Sequence, residues 1–254
     1  MAFECIIYSK EEGIATIKLN RLQVLNAMNK QLWMEFQQAL EDSRNDPSIK
    51  AVIVTGEGRA FSTGADLKES KARPAEQYRD YLEELQEASR KLIYFEKPTI
   101  AAINGYALGS GIELALACDI RIAAEEAKMG SPEASVVSSV TGGAMRLYQD
   151  LVGPAKAKEL LFTAEYVDGR EAERIGLVNK AVPLDKLMET AVDTARKIVT
   201  NSAFSLKMIK KGLEMARGET NLKSLMDYEV EAALACVASK ERQERLETWE
   251  ARKK

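Results

Sequence analysis

Two short apolar runs, Ala51-Val-Ile-Val-Thr55 and Thr99-Ile-Ala-Ala-Ile103, are separated by a long amphipathic and highly charged stretch. Gly56-Glu-Gly58 closes the first run and Lys97-Pro98 precedes the second. Apolar runs of this length without alternation fit strands covered on both faces, the usual environment of a parallel sheet. Parallel neighbours need crossover connections, which helices supply with a right-handed sense. The chain is thereby constrained to an α/β core of successive strand–helix units.

The remaining pattern extends this reading. Residues 4–8 and 13–19 read as a strand pair, with Ile14, Thr16 and Lys18 alternating with Ala15, Ile17 and Leu19. From Asn29, a good N-cap, Leu32, Trp33, Phe36 and Leu40 recur at helical spacing up to the stop signal Asp46-Pro47. Residues 59–68 read as a loop. A second helix is expected over 75–95, with Tyr78, Leu82, Leu85 and Leu92 on its apolar side. A turn at 105–111 opens a helix near Gly109, and residues 120–123 look like a strand. After Pro183 the pattern is almost wholly helical, marked by Leu187, Ala191, Ala195 and Ile198, then Phe204, Met208 and Leu213, then Leu222, Leu225 and Met226. The expected division is an α/β core over 1–182 and a helical region over 183–254 that covers the core or a neighbouring subunit.

Composition narrows the chemistry. The 254 residues include no histidine, so acid–base work falls to carboxylates, lysine or tyrosine. With 36 basic and 39 acidic residues, the net charge of -3 gives no electrostatic reason to expect nucleic acid or an anionic membrane. Cys5, Cys118 and Cys236 are widely spaced and odd in number, which fits a reducing cytoplasm and lacks metal-ligand spacing. No apolar run approaches a membrane span, and the first residues, MAFECIIYSKEEG, lack the character of a signal peptide. The expectation is a cytoplasmic protein without metal.

The densest chemistry lies in NGYALGSGIELALACD, residues 104–119, and in GSPEA, residues 130–134. Gly105, Gly109 and Gly111 let backbone approach a ligand, and free N–H groups at a helix start carry partial positive charge. STGAD, residues 62–66, is a second such turn, placed after a buried strand. Were the two turns to converge, their N–H groups would form a two-donor hole for a carbonyl oxygen. Glu113 and Glu133 stand beside the glycine turn as a possible acid–base pair. Each also has an ordinary reading: Glu113 as a helix-start acid, Glu133 as an exposed first-turn glutamate after Pro132. Asp66 and Lys68 read as a solvated loop pair, and Cys118 and Asp119 as structural. The glycine spacing is neither the dinucleotide fingerprint nor the phosphate loop. Ser110 lacks the nucleophile-elbow pattern and a histidine to activate it.

Taken together, KPTIAAINGYALGSGIELALACDIR (97–121), AFSTGADLKE (60–69) and SPEA (131–134) resemble the enoyl-CoA hydratase/isomerase, or crotonase, family. The likeness extends from NRLQVLNAMN (20–29) through the helical tail. It implies a spiral core of repeated ββα units and a C-terminal helical region that mediates trimers, often paired into hexamers. It also implies that backbone N–H groups of Ala65 and Ser110 form the oxyanion hole, and that Glu113 and Glu133 are catalytic. Gln23, Val24, Leu25, Ala65, Asp66, Leu67 and Lys68, with Gly109, match places that contact the substrate or its coenzyme A, the adenine lying near the first loop. Coenzyme A enters only as part of the substrate, and no other cofactor is implied. The implied reaction adds water across the 2,3 double bond of an enoyl-CoA.

One segment departs from the family pattern. Many hydratases carry Pro-Gly before the Gly-Gly that follows the second glutamate, whereas this chain reads ASVVSSVTGGAMRL and is about one residue shorter. The segment shapes the acyl pocket in the family, so the acyl group stays open. Alternatives are a Δ3,Δ2-enoyl-CoA isomerase, a hydratase or hydrolase of a ring-containing or branched acyl-CoA, and a member that has lost catalysis and only binds. Having both glutamates favours the hydratase over the isomerase, and both glutamates with both glycine turns argue against the member that only binds.

Overall fold

The structure, a computed structural model, describes residues 3–71, 74–218 and 221–237, together with 239, 240, 242 and 244. The chain opens with an antiparallel hairpin of β1 (Ile6–Glu11) and β2 (Ile14–Leu19). Glu12 and Gly13, at φ 50° and 81°, make the two-residue turn whose twist matches its strands. The first strand lies two residues later than the expected 4–8. The N–H groups of Glu4 and Cys5 are taken by the buried carboxylate of Glu35, which keeps them out of the ladder.

Helix α1 (Lys30–Asn45) begins as expected, with the Asn29 side chain accepting from the Leu32 N–H at 3.1 Å. It buries Leu32, Trp33, Phe36 and Leu40. Strand β3 (Ala51–Gly56) is buried throughout. The expected loop over 59–68 instead holds β4 (Ala60–Ser62) and the start of α2 (Leu67–Lys71). Three residues are too few to show alternation, and β4 exists through its pairing partners. Helix α3 (Tyr78–Ile93) buries Tyr81, Leu85, Ala88 and Leu92, while Leu82 is exposed. Steps of three and four residues define that stripe, and Leu82 falls outside it; the Tyr78 side chain lies outside the described residues.

The same unit then recurs. Strand β5 (Thr99–Ile103) leads to short β6 (Tyr106–Leu108) and helix α4 (Ser110–Leu116). Strand β7 (Ile120–Ala124) leads to β8 (Met129–Gly130), a 3-10 turn at Pro132–Val136, and α5 (Ala144–Thr163). Helix α5 breaks at Gly153-Pro154, where Gly153 takes φ 77° and proline cannot continue the backbone ladder. Helix α6 (Gly169–Arg174) and strand β9 (Lys180–Val182) follow.

Long strands form a six-stranded sheet in the order β1-β2-β3-β5-β7-β9, parallel from β2 onward. Short strands form a second, all-parallel sheet, β4-β6-β8. Period-two alternation sorts the long strands' side chains between two cores. Val52, Val54, Ala101, Ile103 and Ala123 face a large core shared with Phe61, Ala107 and Met129 of the short sheet. Ala51, Ile53, Ile100, Ala102 and Ile122 face a smaller core, closed by Leu187, Ala191 and Ala195 of α7 (Leu184–Val199).

Beyond α7 the chain is helical, with α8 (Ala203–Gly218) packed against α9 (Leu222–Val237). Buried Lys210 anchors α8 to the core: its Nζ donates to Asp119 Oδ2 at 2.7 Å. That same oxygen accepts from the N–H and hydroxyl of Thr99 at 2.7 and 2.8 Å. Asp119→Ala would leave Lys210 without its carboxylate and two Thr99 donors unmatched. The expected loss is about 2–3 kcal/mol, less than for a fully buried pair because Asp119 is partly exposed. Urea unfolding of the variant measures it, and a loss within error of zero would contradict the anchoring role.

Candidate active site

The short sheet sets the site. Ala60 and Ser62 of β4 pair with Tyr106 and Ala107 of β6, whose Ala107 and Leu108 pair with Met129 and Gly130 of β8. Three loops therefore leave the carboxyl ends of three adjacent parallel strands: 63–66, 109–113 and 131–133. Such ends are where α/β sheets bind ligands.

The first loop is fastened to the hairpin-to-α1 connection. Met28 bridges Ala65 in parallel, its N–H donating to Gly64 O at 2.8 Å and its carbonyl accepting from the Asp66 N–H at 3.1 Å. A parallel bridge of this kind uses the groups flanking Ala65, so the Ala65 N–H turns to the opposite side. On the second loop, the first bond within α4 runs from the Glu113 N–H to Gly109 O at 3.1 Å. The Ser110 N–H thus stands at the helix start with no carbonyl one turn earlier. The two turns touch: a Cβ on Gly64 would lie 2.7 Å from Leu108 O and 3.1 Å from Ser110 N. Gly64 also has φ +90°, a conformation that glycine adopts freely. Gly111 similarly leaves no room for a Cβ against Ser62 O, which lets α4 sit directly on β4.

Glu113 lies in the first turn of α4 and is only 3% exposed. The Thr141 N–H donates to its Oε1 at 2.6 Å and the Thr141 hydroxyl to its Oε2 at 2.8 Å. Burial raises the carboxyl's pKa, and the two Thr141 donors oppose that rise. Glu133 sits in the 3-10 turn behind Pro132. A Cβ on Gly109 would stand 3.0 Å from Glu133 Oε1, so this carboxyl lies over the glycine that opens α4. Its Oε2 is buried without a hydrogen-bond partner. Burial pushes the Glu133 pKa up to about 7; a backbone N–H of its own opposes the rise, and the Glu113 charge adds to it.

Neither glutamate is therefore the solvated residue of the ordinary reading. Asp66 corrects the same assumption: it is 9% exposed and pairs with Arg21 at 2.9 Å instead of sharing a loop with Lys68. Its Oδ1 accepts from the Lys68 N–H at 3.0 Å, fixing the entry to α2. Burial alone would raise the Asp66 carboxyl, but Arg21 and the backbone donors hold it below the usual range. Gln23, Val24 and Leu25 lie on and just after a 3-10 turn at Leu22–Val24. Leu25 O accepts from the Thr63 N–H at 3.2 Å, and Asn26 O from the Ser62 hydroxyl at 2.8 Å. The hairpin-to-α1 connection thus borders residues 63–66, while Leu67 and Lys68 just beyond them are exposed.

Sequence reasoning missed three supporting residues. Thr141 lies inside the atypical segment, with no spacing signal to mark it. Arg21 is 45 positions from Asp66. Tyr148, buried on α5, shares a hydrogen bond of 3.0 Å with the Ser131 hydroxyl. Burial first, then the hydroxyl partner and both glutamates, act on this phenol, and the net effect keeps it protonated. Among the described residues, no group of three or more His, Cys, Asp or Glu side chains is placed to hold a metal ion. No described helix is long and apolar enough to cross a membrane.

The family model for enoyl-CoA hydratase/isomerase matches residues 9–254. A crotonyl-CoA hydratase of Syntrophomonas wolfei is 37% identical over 246 residues, covering 96% of this chain and 94% of that protein. A short-chain-enoyl-CoA hydratase of Clostridium acetobutylicum shows the same identity and coverage. The crystal structure of an enoyl-CoA hydratase from Bacillus anthracis superimposes with a TM-score of 0.94 at 32% identity, covering 98% of this chain and 97% of that one. The chain belongs to the enoyl-CoA hydratase/isomerase family, and its fold is the crotonase fold.

Proposed function

We propose that this protein is an enoyl-CoA hydratase, adding water across the 2,3 double bond of an enoyl-CoA thioester. The carrying observation is the convergence of the buried Glu113 carboxyl and the half-buried Glu133, its Oε2 out of solvent, with the Ala65 and Ser110 backbone N–H groups at the ends of three parallel strands. The thioester oxygen accepts from the Ala65 and Ser110 N–H groups, where charge builds as water attacks. Glu113 takes the water proton while the oxygen bonds to the β-carbon. The double-bond electrons move toward the thioester, and Glu133 delivers its proton to the α-carbon. Glu113 ends protonated and Glu133 ionised, and exchange with solvent resets the pair. Coenzyme A runs past residues 65–68 and 23–25. No cofactor beyond it is needed.

The relatives named as crotonyl-CoA and short-chain-enoyl-CoA hydratases support a short acyl chain. The helices beyond α7 support assembly through that region, where Ile209, Leu213, Met226, Val230 and Leu234 are exposed. Trimers, or hexamers built of two trimers, follow from this reading, in a cytoplasmic setting. The test is a panel of saturated, 2-enoyl, 3-enoyl and cyclic acyl-CoA thioesters with products identified by mass. Gain of one water on short 2-enoyl substrates is expected. Isomerisation of 3-enoyl substrates or thioester cleavage without hydration would replace the reading.

A further inference from the structure

The two catalytic carboxyls differ in their partners, and the difference traces to one residue. Thr141 brings two donors to Glu113, one to each oxygen, at 2.6 and 2.8 Å. A backbone N–H cannot accept, so Oε1 is held as an acceptor by it. Glu133 Oε2 has no donor at all. Thr141 is itself fixed from both sides. Its carbonyl accepts from the Ala144 N–H at 2.9 Å, where α5 begins. Next to it, a Cβ on Gly142 would stand 2.8 Å from Ser89 Oγ of α3 and 3.5 Å from Glu113 Cβ.

We infer that Thr141 is a positioning residue whose hydroxyl and N–H hold Glu113 as the proton acceptor, leaving Glu133 to carry the proton that substrate receives. The inference rests on the hydratase reading for its consequence in catalysis, and on the hydrogen bonds alone for its effect on Glu113. Helix α4 packs against α3, α5, β4 and β6. From these neighbours and the β8 turn, the ionisable groups acting on or with Glu113 are Glu133 and Tyr148. No cation acts on Glu113 among the described residues, so Thr141 is the element that offsets its burial.

Thr141→Val keeps the side-chain volume and the N–H while removing the hydroxyl; Thr141→Ser keeps the hydroxyl. A donor to the ionised form lowers a carboxyl's pKa, so its removal raises it. The acidic limb of kcat/KM against pH should move up by about one pH unit in Thr141→Val, roughly a tenfold change in proton affinity. The basic limb, set by Glu133, should stay, and Thr141→Ser should track the parent enzyme. Thr141→Ala serves as a second variant should Thr141→Val fail to fold. Independently of turnover, infrared titration of the Glu113 carboxyl in a Glu133→Gln background should show the same upward shift when Thr141→Val is added. That shift in a protein without hydratase activity would uphold the Thr141 contact and reject the hydratase reading. Hydration with both profiles unmoved would overturn the inference alone.

Discussion

Glu133→Gln and Glu113→Gln should each lower hydration by about 10²–10⁴-fold, the usual contribution of a positioned acid or base. The first loses the proton destined for the α-carbon, and the second loses the acceptor for the water proton. Glutamine keeps the volume and the burial, so binding of a saturated acyl-CoA should stay within about twofold by titration calorimetry, as expected when only a transition-state interaction is lost. Loss of enoyl-thioester absorbance gives the rate. Near-full activity in either variant would remove that residue from the mechanism, and lost binding would mean that it holds substrate instead.

Gly64→Ala should be nearly as damaging, through geometry. The added methyl would meet Leu108 O at 2.7 Å and Ser110 N at 3.1 Å, from a backbone at φ +90°. Relief requires the two turns to part, and both oxyanion donors move with them. Each donor of such a hole contributes about 10²–10³ in kcat, so kcat should fall by at least about 10²-fold. The melting temperature should fall by only a few degrees, because the strain is confined to two short turns after β4 and β6 and leaves the strands themselves paired. Retained kcat would disconnect Ala65 and Ser110 from the chemistry. Unfolding at room temperature would make Gly64 a folding residue first.

How much of this could be read from the chain depends on distance along it. Residues 51–55 and 99–103 declare themselves, since four apolar residues in a row beside a threonine have few other uses. Strands β4, β6 and β8, of two or three residues, carry no period; they are strands only because neighbours hold them. Yet these set the site. The glutamates were visible as residue types near a helix start and a Pro-Glu turn, but spacing did not separate catalytic from exposed. The family resemblance supplied their roles, and burial then removed the exposed alternative. Asp66 read as solvated because its partner Arg21 is far away in sequence and no local pattern links them. Thr141 was hidden in the one segment that departs from the family pattern, and only its two short bonds to Glu113 mark it.

The two-residue strand β8 has a second neighbour besides β6. Met129 and Val167 exchange N–H to carbonyl bonds of 2.9 Å in both directions. The strand that aims Glu133 is therefore clamped by a residue that follows it by the whole of α5. During synthesis, both glutamates exist long before this clamp does. A nascent chain ending ahead of Val167 has both glutamates and both glycine turns and lacks the pairing that holds β8, so the arrangement of these residues waits on a segment made after all of them.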